Sequence, residues 1–377
     1  MRVLMISKAC VVGIYQRKLE QIAALGVDLM LVVPPVWADK SGAIPLERAH
    51  MKGYQVAVIP PRFNGNYHLH VYPGLGRLIQ EWQPDIVHSD EEPYNLATWQ
   101  ALWHARRIGA KTLYFSWQNI CRRYPPPFSW GERWVLYRAD QGIMGTESAA
   151  EVFRAKGHRG GLTVIPQFGV DLADFPFRPH TIDPQGERDG AERVVGFIGR
   201  LVPEKGVDLL LRAAQEVIAG GQAIRLMIVG QGSEREALER LAATLGIAEQ
   251  VTFFGHVPSL QMPTLYPQLD VLCLPSRTLP TWKEQFGRVI LEAMASGVPV
   301  IGSDSGAIPD VIGDAGVIVP EENPHALAEA LRGLLSDPAR HADLAQKGRA
   351  RVEAYFTHQR IAEATVRVYE RLWRKPL

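Results

Sequence analysis

The sequence predicts an α/β protein of two domains, each built on a parallel sheet. Three observations carry this. The chain has 377 residues, which at roughly 100–200 residues per domain gives two. Short continuous apolar runs alternate with segments of helical period almost throughout, as expected of strands buried on both faces in right-handed βαβ units. The rhythm breaks once, at Phe168–Glu192, where three prolines and several charges show no period, and then restarts.

In the first half, strands fit Val3–Ile6, Asp28–Val33, Gln55–Ile59, Ile86–His88, Lys111–Phe115, Gly142–Met144 and Thr163–Ile165. Helices fit Gln16–Leu25, Leu75–Trp82, Tyr94–Ile108 and Ser148–Ala155. In the second half, strands fit Arg193–Ile198, Arg225–Val229, Val251–Phe254, Val271–Leu274, Val298–Gly302 and Gly316–Val319. Helices there fit Val207–Ala219, Glu234–Leu245, Phe286–Ala295 and Pro324–Leu335. Gly220, Gly246 and Gly297 stand where helix C-terminal glycines belong, and Ser233 and Asn323 where N-caps belong. A last helical stretch begins at His358. The domains are therefore 1–172 and 193–357, joined by a linker at 173–192.

Hydrophobic residues make up 46% and charged residues 21%, ordinary for a chain with a large core. The 41 Lys and Arg against 40 Asp and Glu argue against a nucleic-acid partner, an acidic tail or disorder. The balance hides an asymmetry. Residues 1–172 hold 19 Lys and Arg against 14 Asp and Glu, and the remainder 22 against 26. Scatter over solvated faces is the plain account; an anionic acceptor or lipid headgroups opposite the first half is the sharper one. Cys10, Cys121 and Cys273 are too few and too far apart for a disulfide framework or a zinc site, and the eleven histidines show no ligand spacing, so no metal is expected. No apolar run approaches the roughly 18 residues that span a bilayer, and Met1–Ile6 reads as a strand, not a leader. A cytoplasmic protein able to touch a membrane surface is expected.

Three segments carry chemistry. Gly199-Arg-Leu-Val-Pro-Glu-Lys-Gly206 follows a buried strand and opens a helix, the place where such sheets bind ligands. Arg200 offers a fork and Lys205 a point charge, a pair suited to a pyrophosphate, although a solvated basic turn would look the same. Val229-Gly-Gln-Gly232 ends the next strand, and its glycines permit close backbone approach to a ligand. Neither this segment nor Lys8–Gly13 is a complete G-x-G-x-x-G, so a nicotinamide or flavin dinucleotide is not supported. In Trp282-Lys-Glu-Gln-Phe-Gly-Arg-Val-Ile-Leu-Glu292, Glu284 precedes a helix and Glu292 lies one to two turns inside it. Eight residues at helical rise span about 12 Å, near the length of a sugar–diphosphate–ribose unit. One carboxylate can hold sugar hydroxyls and the other a ribose diol, with free N–H groups at Phe286 and Gly287 between them.

In order, Gly199-Arg200 with Lys205, Val229–Gly232, Phe254-Gly-His-Val257, the glutamate pair and Glu292-Ala-Met-Ala-Ser-Gly-Val-Pro-Val300 resemble the retaining glycosyltransferases of family four. The first half is similar in rhythm and in Ile165-Pro-Gln-Phe-Gly-Val-Asp171. The resemblance implies the GT-B fold, two Rossmann-like parallel-sheet domains facing across a cleft. Residues 1–172 would be the acceptor side and 193–357 the donor side, with 358–377 crossing back to the first domain. Moving the 5 basic and 2 acidic residues of 358–377 makes the first lobe +8 and leaves the second at −7.

The resemblance further implies that Arg200 and Lys205 hold the diphosphate of a nucleotide-sugar donor, that Glu292 binds its ribose, and that Glu284 with the Phe286 and Gly287 backbone binds the sugar hydroxyls. Gly13, Gly199 and Gly230 would line the donor, and Val257 and Leu260 would flank its base. Two departures stand out. The first loop has one glycine, Gly13, where two are common. The place of a frequent sugar-facing histidine reads Tyr114-Phe-Ser-Trp-Gln118-Asn119, which makes Gln118 and Asn119 the candidate sugar or acceptor contacts, with a strand end that merely packs as the equal alternative. Tyr124-Pro-Pro-Pro-Phe128 reads as a rigid loop, a connector or an acceptor lip, and Arg122, Arg123, Arg133 and Arg138 as a basic face over an acceptor.

The expected activity is transfer of a sugar from a UDP- or GDP-linked donor to a hydroxyl acceptor, lipid-linked or anionic, in cell-surface glycan or glycolipid synthesis. Retention follows from front-face attack, with no cofactor; Arg, Lys and a helix end act where other transferases use a cation. The alternatives are a nucleotide-sugar epimerase or sugar phosphorylase on the same fold, or a non-catalytic protein that binds nucleotide sugars.

Overall fold

A computed structural model describes residues 1–39, 42–178 and 192–374; the side chains of Asp39, Ser259 and Leu260 also lie outside that description. The chain divides into two compact units, Met1–Gly169 together with the segment from His358, and Val170–Thr357.

The first unit carries strands β1 (Arg2–Ile6), β2 (Asp28–Val33), β3 (Val36–Asp39), β4 (Gly42–Pro45), β5 (Gln55–Val58), β6 (Ile86–Ser89), β7 (Lys111–Ser116), β8 (Gln141–Met144) and β9 (Gly161–Val164). Its helices are α1 (Arg17–Ala24), α2 (Leu75–Trp82), α3 (Leu96–Arg107), α4 (Phe128–Arg138) and α5 (Glu147–Ala155). Seven strands form one sheet in the order β5-β2-β1-β6-β7-β8-β9, all neighbours parallel, and β3–β4 is a separate antiparallel hairpin. The strand order reverses between β1 and β6, so a crevice is expected at their carboxyl ends.

The second unit runs β10 (Arg193–Ile198), α6 (Val207–Ala219), β11 (Ile224–Val229), α7 (Arg235–Thr244), β12 (Val251–Phe254), β13 (Val271–Leu274), α8 (Arg288–Ser296), β14 (Val300–Ser303), α9 (Ile308–Ile312), β15 (Val317–Val319), α10 (Pro324–Leu335) and α11 (Pro338–Tyr355). Its sheet has the order β12-β11-β10-β13-β14-β15, again parallel throughout. Val195, Phe197, Leu226, Ile228, Leu272 and Ile301 are buried to 1% or less, which explains why these strands read as unbroken apolar runs.

The last helix, α12 (His358–Arg374), belongs to the first unit. Ile361, Val368, Tyr369 and Leu372 share a core with Leu19 and Ile22 of α1 and with Val3 and Met5 of β1. Tyr369 Oη lies 2.6 Å from His88 Nδ1, and burial holds the His88 ring well below its ordinary pKa, so it is neutral. That accounts for His88 without a catalytic role.

Several expectations shift. The linker expected at 173–192 is in part core: Phe175 is buried with its ring 5.8 Å from that of Tyr266, and the Arg178 N–H bonds Ser296 O at 3.0 Å. The rest of that segment, 179–191, lies outside the described residues. The helix expected from Phe286 begins at Arg288, because Gly287 caps it in the left-handed region at φ +73°. The hairpin, α4, α9 and α11 carry too little periodic signal to be read. α4 follows three prolines and buries an acid, Glu132. α11 buries His341, Leu344, Ala345, Gly348 and Val352, a thin apolar stripe for a helix of 18 residues.

Candidate active site

In the second unit, the loops at the carboxyl ends of β10, β11 and β13 lie together. Gly199 N–H donates to Val229 O at 2.9 Å, and two residues on, Leu201 N–H donates to Gln231 O at 2.8 Å. A Cβ on Gly230, at φ +145°, would stand 1.8 Å from Gly199 O, and one on Gly232 would stand 2.0 Å from Leu201 O. These glycines therefore let two loops lie backbone against backbone. The close approach that the sequence suggested for a ligand is already made by the chain itself.

Lys205 ends a tight 3-10 turn, Pro203–Lys205. Arg277, in the loop after β13, holds that turn: it donates to Pro203 O at 3.2 Å and to both Asp208 oxygens at 2.9 and 3.0 Å. So fixed, Lys205 Nζ lies 2.5 Å from Glu284 Oε2 and 5.1 Å from the centre of the Trp282 ring. Ser276 Oγ donates to the same carboxylate oxygen at 3.0 Å. The Glu284 backbone is pinned as well, its carbonyl accepting from Ala307 N–H at 3.1 Å. The other cationic candidate stays outside: Arg200 is 68% exposed and reaches Glu204 at 3.7 Å, an i,i+4 pair of little worth.

Glu292 sits on the buried side of α8. Its Oε2 accepts from Tyr266 Oη at 2.5 Å and its Oε1 meets Arg288 Nε at 2.7 Å. Burial, reinforced by that carboxylate, pushes the Tyr266 phenol well above its ordinary pKa, so it remains a donor. Since α8 starts at Arg288, helical rise relates only the last residues of the Glu284–Glu292 interval, and the 12 Å argument does not carry over. Phe286 packs against the core with its ring 6.0 Å from that of Phe356. Val257 is half-buried on the same core, while the Leu260 side chain lies outside the described residues.

In the first unit, Gly13 N–H donates to Glu47 Oε2 at 2.5 Å, so a carboxylate of the chain itself engages the amide of this donor-lining candidate. Gln118 is turned inward. Its Nε2 donates to Tyr124 Oη at 3.0 Å, and its Oε1 accepts from Lys156 Nζ at 2.7 Å. Both ends of the amide are engaged, and Lys156 pairs with Glu132 at 2.6 Å as well. Asn119, beside it, is equally buried.

Sequence reasoning missed the acids that follow β6. Asp90 accepts from Ser7 Oγ at 2.7 Å. Glu91 pairs with Lys8, lies 3.7 Å from His70 Nε2, and accepts from Asn95 Nδ2 at 3.2 Å. Burial alone would raise the Glu91 carboxyl, but the Lys8 ammonium and His70 outweigh it and bring it down to about 2. Burial pushes Glu92 up to about 7, against hydrogen bonds from Ser116 Oγ at 2.5 Å and Trp117 N–H at 2.9 Å. The available signal was three consecutive acids directly after a strand at the point where the sheet order reverses. Among the described residues, no group of three or more His, Cys, Asp or Glu is placed to hold a metal ion. No described helix is long and apolar enough to cross a membrane.

Two family models match the chain: a glycosyl transferase 4-like domain over residues 14–167, and glycosyl transferases group 1 over residues 180–351. The chain belongs to the family-four glycosyltransferases. Among relatives of the chain, a GDP-mannose-dependent α-(1-6)-phosphatidylinositol monomannoside mannosyltransferase of Mycolicibacterium smegmatis is 37% identical over 201 residues, 52% of each chain. A D-inositol 3-phosphate glycosyltransferase of Nocardia farcinica is 35% identical over 227 residues, 55% of this chain and 47% of the other. The chain thus spans about half the length of the curated relatives it matches. Among solved structures, sucrose-phosphate synthase of Thermosynechococcus elongatus aligns over 99% of both chains with a TM-score of 0.72 at 21% identity. HepE of Anabaena, solved in complex with UDP, aligns over 98% of this chain and 100% of its own with a TM-score of 0.73 at 21% identity. At that identity they show the fold, GT-B.

Proposed function

We propose that this glycosyltransferase moves a sugar from a nucleoside-diphosphate sugar to a hydroxyl acceptor with retention at the anomeric carbon. The Lys205–Glu284 contact carries the reading. It sets an ammonium suited to phosphate beside a carboxylate suited to sugar hydroxyls, at the carboxyl ends of strands in the Val170–Thr357 unit. That unit is the donor side and the first unit the acceptor side. Arg200, exposed and weakly paired, turns to the diphosphate and completes a two-cation clamp with Lys205. Glu292 uses two of a carboxylate's roughly four acceptor positions on Tyr266 and Arg288, which leaves the others for a ribose diol.

In a front-face reaction the bond from C1 to the diphosphate oxygen breaks while the acceptor oxygen bonds C1 on the same face. The acceptor proton passes to the departing phosphate. Arg200, Lys205 and the N–H groups at Phe286 and Gly287 take up the developing charge, with no metal or other cofactor in the scheme. UDP and GDP are the candidate donor nucleotides, supported by the UDP complex of HepE and the GDP-mannose named for the mycobacterial relative. A lipid-linked or anionic acceptor is supported by the basic first lobe and by the phosphoinositide and inositol phosphate named for the relatives.

A thermal-shift panel with UDP, GDP, ADP and their sugars tests the donor site, since a ligand that binds the native state raises its midpoint. At least one is expected to do so; no shift with any overturns the donor assignment. NMR of the product then tests retention, which an inverted anomeric centre overturns.

A further inference from the structure

The first unit holds a cavity of about 570 Å³ that the transfer chemistry does not use. Four tryptophans line it, Trp99 and Trp103 of α3 and Trp130 and Trp134 of α4, together with Leu96 and Val71. Trp103 and Trp130 are 49% and 65% exposed. The two helices approach closely there, because a Cβ on Gly131 would stand 2.0 Å from the Trp99 ring. Soluble monomers rarely leave an apolar concavity of this kind bare.

Arginines stand on one of its lining rings and at the C-terminal end of α4. The Arg107 guanidinium lies 4.6 Å from the centre of the Trp103 ring. Arg138 and Arg159 flank the exposed Tyr137 ring at 5.3 and 4.2 Å. Arg106 donates to Arg138 O at 3.0 Å, which joins the ends of α3 and α4. The acid of α4, Glu132, is committed to Lys156 at 2.6 Å. The face is therefore aromatic and cationic, its positive charge left for a partner.

We propose that the α3–α4 face docks on an anionic lipid bilayer, the tryptophans entering the interfacial layer and the arginines meeting phosphates. Tryptophan is the side chain that favours that layer, with an apolar body and a polar N–H, and each arginine near an anionic surface adds to the attraction. A second copy of the chain does not fit, because a two-fold contact would set these arginines against themselves. The docking does not depend on the transfer chemistry, which it goes beyond.

Flotation of the full chain with vesicles tests this, using phosphatidylcholine alone and phosphatidylcholine mixed with phosphatidylglycerol. The chain is expected to float with the mixed vesicles at low salt, to leave them as salt rises, and to ignore phosphatidylcholine. Trp103→Ala with Trp130→Ala should weaken binding at least about tenfold. Arg107→Gln with Arg159→Gln should weaken it roughly thirtyfold. Thermal melting of each variant, with and without nucleotide, separates these losses from misfolding and from failure of the donor site. Absence of flotation, equal binding to both vesicles, or wild-type affinity in either folded variant overturns the proposal. An acidic protein as the true partner would appear as the first of these outcomes.

Discussion

Lys205 Nζ lies 2.5 Å from Glu284 Oε2, although 79 residues separate them in the chain. Both side chains are largely buried, so each needs the other. Lys205→Ala removes the ammonium from that carboxylate and is expected to cost about 3 kcal/mol of stability, with turnover down by roughly 10²–10³-fold. Adding Glu284→Gln should restore most of the stability and none of the turnover. Urea unfolding and initial rates of the two single variants and the double variant check this. Independent, additive stability losses would mean that the pair is not coupled.

Glu292→Gln keeps a partner for the Tyr266 hydroxyl and removes one acceptor oxygen from the proposed ribose site. The donor KM should rise about tenfold to a hundredfold while kcat changes little, because the lost bond is made equally in ground and transition states. A wild-type donor KM would take Glu292 out of the ribose site.

Glu92 gives the stability of the chain a pH dependence of opposite sign to that of Glu91. The Glu92 carboxyl stands at about 7 in the fold against an ordinary 4.5. Between those pH values the folded chain holds a proton that the unfolded chain has released, so stability falls as pH rises through that window, by about 3 kcal/mol at most. Glu91, brought down to about 2, contributes stability that is present above pH 4.5 and lost as pH falls toward 2. In Glu92→Gln, urea midpoints between pH 4.5 and 8 should lose the downward slope, while the acid loss below 4.5 remains. An unchanged slope would place the titrating group elsewhere.

Gly230→Ala and Gly221→Ala form a matched pair. Both glycines have positive φ, +145° and +88°, but a Cβ on Gly221 meets nothing within 4 Å, whereas one on Gly230 would stand 1.8 Å from Gly199 O. Gly221→Ala should cost about 1 kcal/mol, the price of the left-handed backbone alone. Gly230→Ala should cost several times that, and should weaken nucleotide binding by parting the two strand-end loops. Equal unfolding midpoints would refute the loop-to-loop role.

The strands are legible in the sequence because nearly all of them are short apolar runs between helices, and the sheet buries both faces. Lys205 and Glu284 are legible as residue types at strand ends, since loops at those ends are where such sheets bind ligands. Their contact is not, because it depends on how Arg277 holds the Pro203–Lys205 turn and how Ala307 pins Glu284, relations with no local pattern. Gly230 is ambiguous for a physical reason: a missing side chain serves a ligand and a neighbouring backbone equally well. Gln118 is ambiguous in the sequence because an amide at a strand end looks the same whether it faces outward or joins Tyr124 and Lys156. Asp90, Glu91 and Glu92 escape because consecutive charges usually mark a solvated face, and only the fold shows Ser7, Lys8 and Ser116 closing over them.

The return of α12 to the first unit orders events during synthesis. Residues 1–169 leave the ribosome before the second unit, but His88 and the α1 surface stay uncovered until Tyr369 and Leu372 follow. The second unit is one uninterrupted segment, closed by the Val170 N–H on Phe356 O at 3.0 Å, and needs nothing downstream of Thr357. The later-made half is thus complete before the earlier one, which waits with an open seam while the other half is translated. A nascent-chain binder that shields apolar surface would have its longest window on β1 and α1.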